Sequence, residues 1–298
     1  MAEPSRPSMT ARSFPRVTKQ LLHATIATLP PELRANGMTQ SVHLAFATLH
    51  HFFGLEWLER YVRPDTARPN SLRIEEGDGH RLDLSTLRVI DLAEVLINLQ
   101  DVPGFSECIE KMRKGDIDGT FGELDLGRML FLNQVPFEFV VAQGAKTLDY
   151  DVEVTFPDGV VACAEAKCNV ESTNLGKNTI LNKLKKASKQ LPPDRPGIIF
   201  VKMPPGWMDQ KDFTEMTLGV AREFLKRPSR VVSVKFYVSP NQVVNGFIKQ
   251  EHAYKEISNP EVTGRDWRLF RQWDLPPEAN GMPPHWQRIL FFPDGKPW

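Results

Sequence analysis

The segment DYDVEVTFPDGVVACAEAKC, Asp149 to Cys168, constrains this chain more than any other stretch. Two runs of strand-forming residues, Asp149 to Phe156 and Val160 to Cys168, flank Pro157-Asp158-Gly159. A three-residue hairpin loop, a type I turn followed by glycine in the left-handed region, suits those residues. Such a loop sets the register: Phe156 faces Val160, Glu153 faces Cys163, Asp151 faces Glu165 and Asp149 faces Lys167. Opposed residues project to one face of a sheet. Tyr150, Val152, Val154 and Phe156 therefore share a face with Val160, Ala162, Ala164 and Ala166, a core face whose alanines leave room for a close helix. The other face gathers Asp149, Asp151 and Glu153 with Cys163, Glu165 and Lys167. A two-residue loop would move every side chain across the sheet and bury Glu165 and Lys167 beside Val152 and Tyr150, which is costly for unpaired charge.

Like charges directly opposed in a sheet repel, so Asp151 against Glu165 needs a partner. A divalent cation is one. Mg²⁺ takes oxygen ligands, keeps several waters and completes its shell with phosphate oxygens. Lys167 beside it would orient or help deprotonate an attacking water and offset charge growing on the phosphate. The plain alternative is a solvated charged face, with Asp149 and Lys167 as an exposed pair worth little.

Around this hairpin the 298 residues read as a helical region over 1–104, an α/β core over 105–240 and a Pro- and Trp-rich extension over 241–298 that packs on the core. Helices are expected over Val17 to Leu29, over Thr39 to Val62 with a break near Gly54, and over Asp83 to Leu99. A helix from Thr120 to about Asn133 then precedes strands at Phe137 to Ala142, Asp149 to Phe156 and Val160 to Cys168. A helix at Asn178 to Leu191 and an apolar strand at Gly197 to Met203 complete an α-β-β-β-α-β order. A helix at Asp209 to Lys226 and a strand at Val231 to Val238 extend the same sheet. The fold class is α/β with a mixed sheet.

Lys plus Arg balances Asp plus Glu at 37 each, so any nucleic-acid surface must be local and no membrane partner is expected. Three cysteines, Cys108, Cys163 and Cys168, form neither an even framework nor a CxxC pair, which fits a reducing compartment and argues against zinc. Met1 to Arg16 lacks the apolar core of a signal peptide, so a cytoplasmic protein is expected. The segment Arg265 to Trp273, RDWRLFRQW, could stack on bases. A helix that packs its aromatics and solvates its arginines is the preferred reading.

An acid in the second strand followed by E-x-K in the third, set in an α-β-β-β-α-β order, resembles the PD-(D/E)xK nuclease superfamily, with its restriction-endonuclease-like fold. The resemblance spans roughly Gly119 to Met203 and rests on Asp149-Tyr150-Asp151 and Glu165-Ala166-Lys167. It implies a nuclease dependent on Mg²⁺ or Mn²⁺, acting on DNA ahead of RNA, with homodimerisation common among its members. Asp151 and Glu165 would hold the metal, with Asp149 as the second choice, and Lys167 would serve the water. Leu148 stands where the eponymous proline would be. Glu123 matches a glutamate that many members carry on the helix before the first strand. It equally completes a T-x-x-E capping box with Thr120. Lys186, Lys189 and Gln190 match residues that face the site from the helix after E-x-K. Lys177, Lys183, Lys185, Lys186 and Lys189 form a basic run able to follow phosphates, or a solvated helix face. A catalytically inactive nuclease-like module that binds or regulates is the alternative.

Overall fold

The computed structural model describes residues 14–262 apart from residues 35, 64–69, 74–83, 133–134, 142–148, 156–158, 171–172, 228–229, 240–241, 245–246 and 250–252. Helices α1 (Lys19–Ala27), α2 (Pro31–Arg34), α3 (Gly37–Phe53) and α4 (Leu55–Tyr61) come first. Gly54 separates the last two at φ +84°, a conformation that residues with a Cβ rarely adopt, so the long aromatic helix breaks where expected. Helices α5 (Leu84–Leu99), α6 (Phe105–Arg113) and α7 (Ile117–Leu132) follow. No separate helix was expected where α6 lies, and α7 begins three residues before the expected Thr120.

The sheet begins with β1 (Phe137–Phe139), β2 (Val152–Thr155) and β3 (Val161–Cys168), all antiparallel. Helix α8 (Lys177–Gln190) crosses to β4 (Gly197–Lys202) and α9 (Phe213–Leu225) crosses to β5 (Val231–Val238), making β3, β4 and β5 parallel. A small hairpin, β6 (Gln242–Val244) and β7 (Phe247–Lys249), precedes β8 (Ala253–Ser258), which lies antiparallel against β5. The result is a mixed six-stranded sheet in the order β1-β2-β3-β4-β5-β8. The expected α-β-β-β-α-β succession is present as α7-β1-β2-β3-α8-β4. The extension after residue 240 contributes a strand to the sheet, whereas the Arg265 to Trp273 segment lies outside the described residues.

Glu153 pairs with Cys163, Val154 with Ala162 and Val152 with Ala164, the register that a three-residue loop dictates. Gly159 has φ +81°, and Phe156, Pro157 and Asp158 lie outside the described residues. The alanine face is covered as expected. Ala162, Ala164 and Ala166 join one core with Phe121 and Leu124 of α7 and with α3 and α5 behind it. A Cβ on Gly122 would sit 3.3 Å from Cys168 Cβ, so α7 lies hard against the end of β3. On the other face Ile180, Leu184 and Ala187 of α8 and Val220, Ala221 and Phe224 of α9 cover Ile199, Val201, Val234 and Phe236. Each fully buried Val, Leu, Ile or Phe among these contributes roughly 1.5–3 kcal/mol.

Two expectations fail at the start of the second strand. The strand is only Val152–Thr155, with a bend at Asp151, so Asp149 lies outside the β2–β3 ladder in which it was expected opposite Lys167. Beyond that bend alternation stops, and Tyr150 sits on the α8 side with Cys163 instead of beside Val152.

A charged network that nothing in the sequence announced joins the layers. Arg128 of α7 is 1% exposed and its guanidinium donates to Asp91 of α5, to Asp125 at 2.5 Å and to the Tyr237 hydroxyl of β5 at 2.6 Å. Lys202 of β4 pairs with Asp125 and sits 3.5 Å from the centre of the Phe121 ring.

Candidate active site

The β3 strand carries Glu165 and Lys167 two residues apart, so both project to the same side, and the Lys167 ammonium donates to Glu165 Oε1. Glu165 is 0% exposed, and its other oxygen, Oε2, is buried without a hydrogen-bond partner. Asp151 comes to it from the bend before β2. Its N–H donates to the Ala164 carbonyl at 3.1 Å, and its Oδ2 accepts the Ala166 N–H at 2.7 Å. The acid is thus tied to the backbone between Ala164 and Ala166, at the level of Glu165, although the regular ladder ends one pair earlier at Val152 and Ala164.

Glu123 arrives from α7. Because that helix starts at Ile117, Thr120 and Glu123 lie inside it and form no capping box; the Thr120 Oγ1 is buried without a partner. Glu123 instead accepts from Lys111 Nζ of α6 at 2.8 Å. Lys111 was not anticipated, because its partner stands twelve residues away on a different helix. The amphipathic run FSECIEKMR could have revealed α6 but not this pairing.

The carboxyls sense one another. Burial, then the Asp151 charge, pushes Glu165 up to about 9 against the pull of Lys167. Burial and Asp151 likewise push Glu123 up to about 8 against Lys111. Asp151 is raised by burial, opposed by Lys167, by Lys111 and by the Ala166 N–H. Burial pulls the Lys111 ammonium down, yet the Glu123 and Asp151 charges outweigh it and hold Lys111 above its ordinary value. Three carboxyls and two ammonium groups therefore occupy one end of the sheet.

The remaining expected residues divide. Glu153 is withdrawn from the group, since its Oε2 accepts from the Tyr150 hydroxyl at 2.7 Å and from Arg195 Nη1 at 2.8 Å. Gln190 uses its Nε2 to hold the Asp149 carbonyl at 3.2 Å, which braces the segment leading into Asp151. Lys186 and Lys189 are exposed on α8. Lys183, on the same helix, donates to the Cys168 carbonyl at 2.8 Å; burial and the charges of Lys167 and Lys186 lower it, despite the opposing pull of Cys168.

Hard oxygen donors and an unsatisfied buried carboxylate oxygen suit a divalent cation such as Mg²⁺ or Mn²⁺. Among the described residues, no group of three or more His, Cys, Asp or Glu side chains is placed to hold a metal ion. The metal would rest on Asp151 and Glu165, two carboxylates completed by water and substrate oxygens.

The chain matches no family model, no curated protein and no solved structure. No described helix is long and apolar enough to cross a membrane.

Proposed function

We propose that this chain is a Mg²⁺- or Mn²⁺-dependent hydrolase of phosphodiester bonds in nucleic acid, DNA ahead of RNA, built on the restriction-endonuclease-like fold. The observation that carries the reading is the fastening of Asp151 to the Ala166 N–H, between Glu165 and Lys167, at the mouth of the β2–β3 pair. Asp151 and Glu165 would hold the cation, with Asp149 as the second choice. When bound, the cation supplies polarisation of the phosphate and a more acidic water. Lys167 faces charge developing on the phosphate with a cation already positioned by Glu165. Glu123, whose carboxylate accepts from Lys111 Nζ at 2.8 Å, would help to orient the attacking water. Lys186 and Lys189, exposed on α8, would contact the substrate backbone.

One observation favours the second reading, an inactive nuclease-like binding module. The Lys167–Glu165 and Lys111–Glu123 pairs already neutralise two of the three carboxylates within the chain. Titration with Mn²⁺ by calorimetry, followed by plasmid nicking, separates the two. Binding and nicking that Glu165→Gln and Lys167→Ala abolish support the hydrolase; neither binding nor nicking supports the module.

A further inference from the structure

Beyond the carboxyl ends of the parallel strands β3, β4 and β5 lies a small pocket of about 30 Å³ that the proposed chemistry does not use. Asn169, Lys202 and Ser239 line it from the three strand ends, and α5 and the start of α7 close its other side. Crevices at the carboxyl ends of parallel strands are where open α/β sheets bind ligands.

The charged groups of this pocket are committed within the protein. Arg88 Nη1 donates to the Ser71 carbonyl at 3.2 Å, and Asp118 Oδ1 accepts the Ser71 N–H at 3.0 Å. Asp91 holds Arg128, and Lys202 pairs with Asp125. Asn169 is different. It is 4% exposed, and neither Nδ2 nor Oδ1 of its carboxamide has a hydrogen-bond partner. An amide buried in that state is costly, and this one offers a donor beside an acceptor.

A phosphate would satisfy only the donor end and would face Asp91 and Asp118. A metal ion would satisfy only the acceptor end and would face Arg88 and Lys202. The complement is a neutral planar edge with a donor next to an acceptor, as a nucleobase presents; an asparagine pairs in this two-point way with adenine. Cys168 and Phe121 line the same pocket and lie one residue from Lys167 and two from Glu123; successive strand residues project to opposite faces, so pocket and candidate site meet at the carboxyl end of β3 from its two sides.

We propose that Asn169 reads the base edge of one nucleotide, adenine by preference, flanking the phosphate to be cut. The proposal rests on the nucleic-acid reading above and names what that site selects. A pocket of this size admits the edge of a base, with the ring at its open mouth, and not a strand running through.

Adenosine monophosphate titrated calorimetrically into the full chain in the presence of EDTA tests it. The expected result is binding that inorganic phosphate and uridine monophosphate fail to match by at least roughly tenfold. Asn169→Asp, which exchanges the donor for a second acceptor, and Asn169→Leu are each expected to weaken it by a similar factor. Absence of binding, phosphate or uridine monophosphate binding equally well, or folded Asn169 variants that bind as the wild type does would overturn the proposal. Should the variants not fold, the three ligands compared on the wild-type chain still decide. The readout needs neither metal nor cleavage, so a chain that binds adenosine monophosphate but never cuts nucleic acid sinks only the hydrolase reading.

Discussion

The carboxylate of Asp151 accepts the backbone N–H of Ala166 at 2.7 Å, so the acid before one strand is fastened to the next strand between Glu165 and Lys167. This bond replaces a ladder pairing with a side chain and fixes where negative charge gathers. Asp151→Asn keeps an acceptor for that N–H while removing the charge. The variant is expected to fold with thermal stability equal to or above the wild type, because one buried charge is gone, and to bind Mn²⁺ at least roughly tenfold more weakly. Calorimetric titration beside a melting curve checks both halves.

Glu165→Gln and Lys167→Ala are expected to lower nicking by roughly a hundredfold or more each, since one removes a metal-type ligand and the other a preorganised cation. The variants would retain the wild-type far-UV circular dichroism. Full activity in either one would rule out the assigned roles.

Lys111→Met leaves Glu123 buried without its cation and is expected to cost about 1–3 kcal/mol, discounted from a fully buried pair because the lysine side chain is 25% exposed. Adding Glu123→Gln should recover most of that loss. A urea-denaturation double-mutant cycle measures the coupling, and simple additivity would argue that the pair is not stabilising.

Metal-free stability should fall as pH rises. Glu165 moves from an ordinary 4.5 to about 9 and Glu123 from 4.5 to about 8, so both bind their protons more tightly folded than unfolded. The stability they contribute is complete below about pH 4.5 and is lost progressively up to pH 8–9. Melting curves in EDTA between pH 5 and 9 should show it, Glu165→Gln should flatten it, and Mn²⁺ should offset it at the alkaline end.

Arg128→Met removes the guanidinium that Asp91 and Asp125 share, leaving Asp125 only Lys202 as its cation, and is expected to cost about 3–5 kcal/mol. Arg128→Lys should not rescue it, because a single ammonium cannot reach Asp91, Asp125 and the Tyr237 hydroxyl as the planar fork does. Urea midpoints of the two variants provide the check.

The hairpin was readable because loop chemistry and strand alternation are local rules. Pro157-Asp158-Gly159 implied the register that pairs Glu153 with Cys163, and the alanines marked the face on which α7 packs. Tyr150 was misplaced because alternation was carried past Asp151, where the chain bends to deliver a carboxylate to Ala166. Glu123 fitted a capping box only so long as the helix began at Thr120; the additional residues from Ile117 put it inside α7, facing Lys111.

From the sequence alone came the α7-β1-β2-β3-α8-β4 order of the core, the face of the hairpin that is core, and the placing of Asp151, Glu165 and Lys167 at neighbouring positions. These follow from periodicity and turn geometry, which act over a few residues. Only the tertiary structure decided that Glu153 is held by Arg195, that Lys111 faces Glu123, that Arg128 meets Asp91 across 37 residues, and that Asn169 is buried with its carboxamide unpaired. Those pairings depend on how helices seat against a sheet. Side chains far apart in the chain then share one low-dielectric space, where a charge or an amide must find its partner or bear the cost of lacking one.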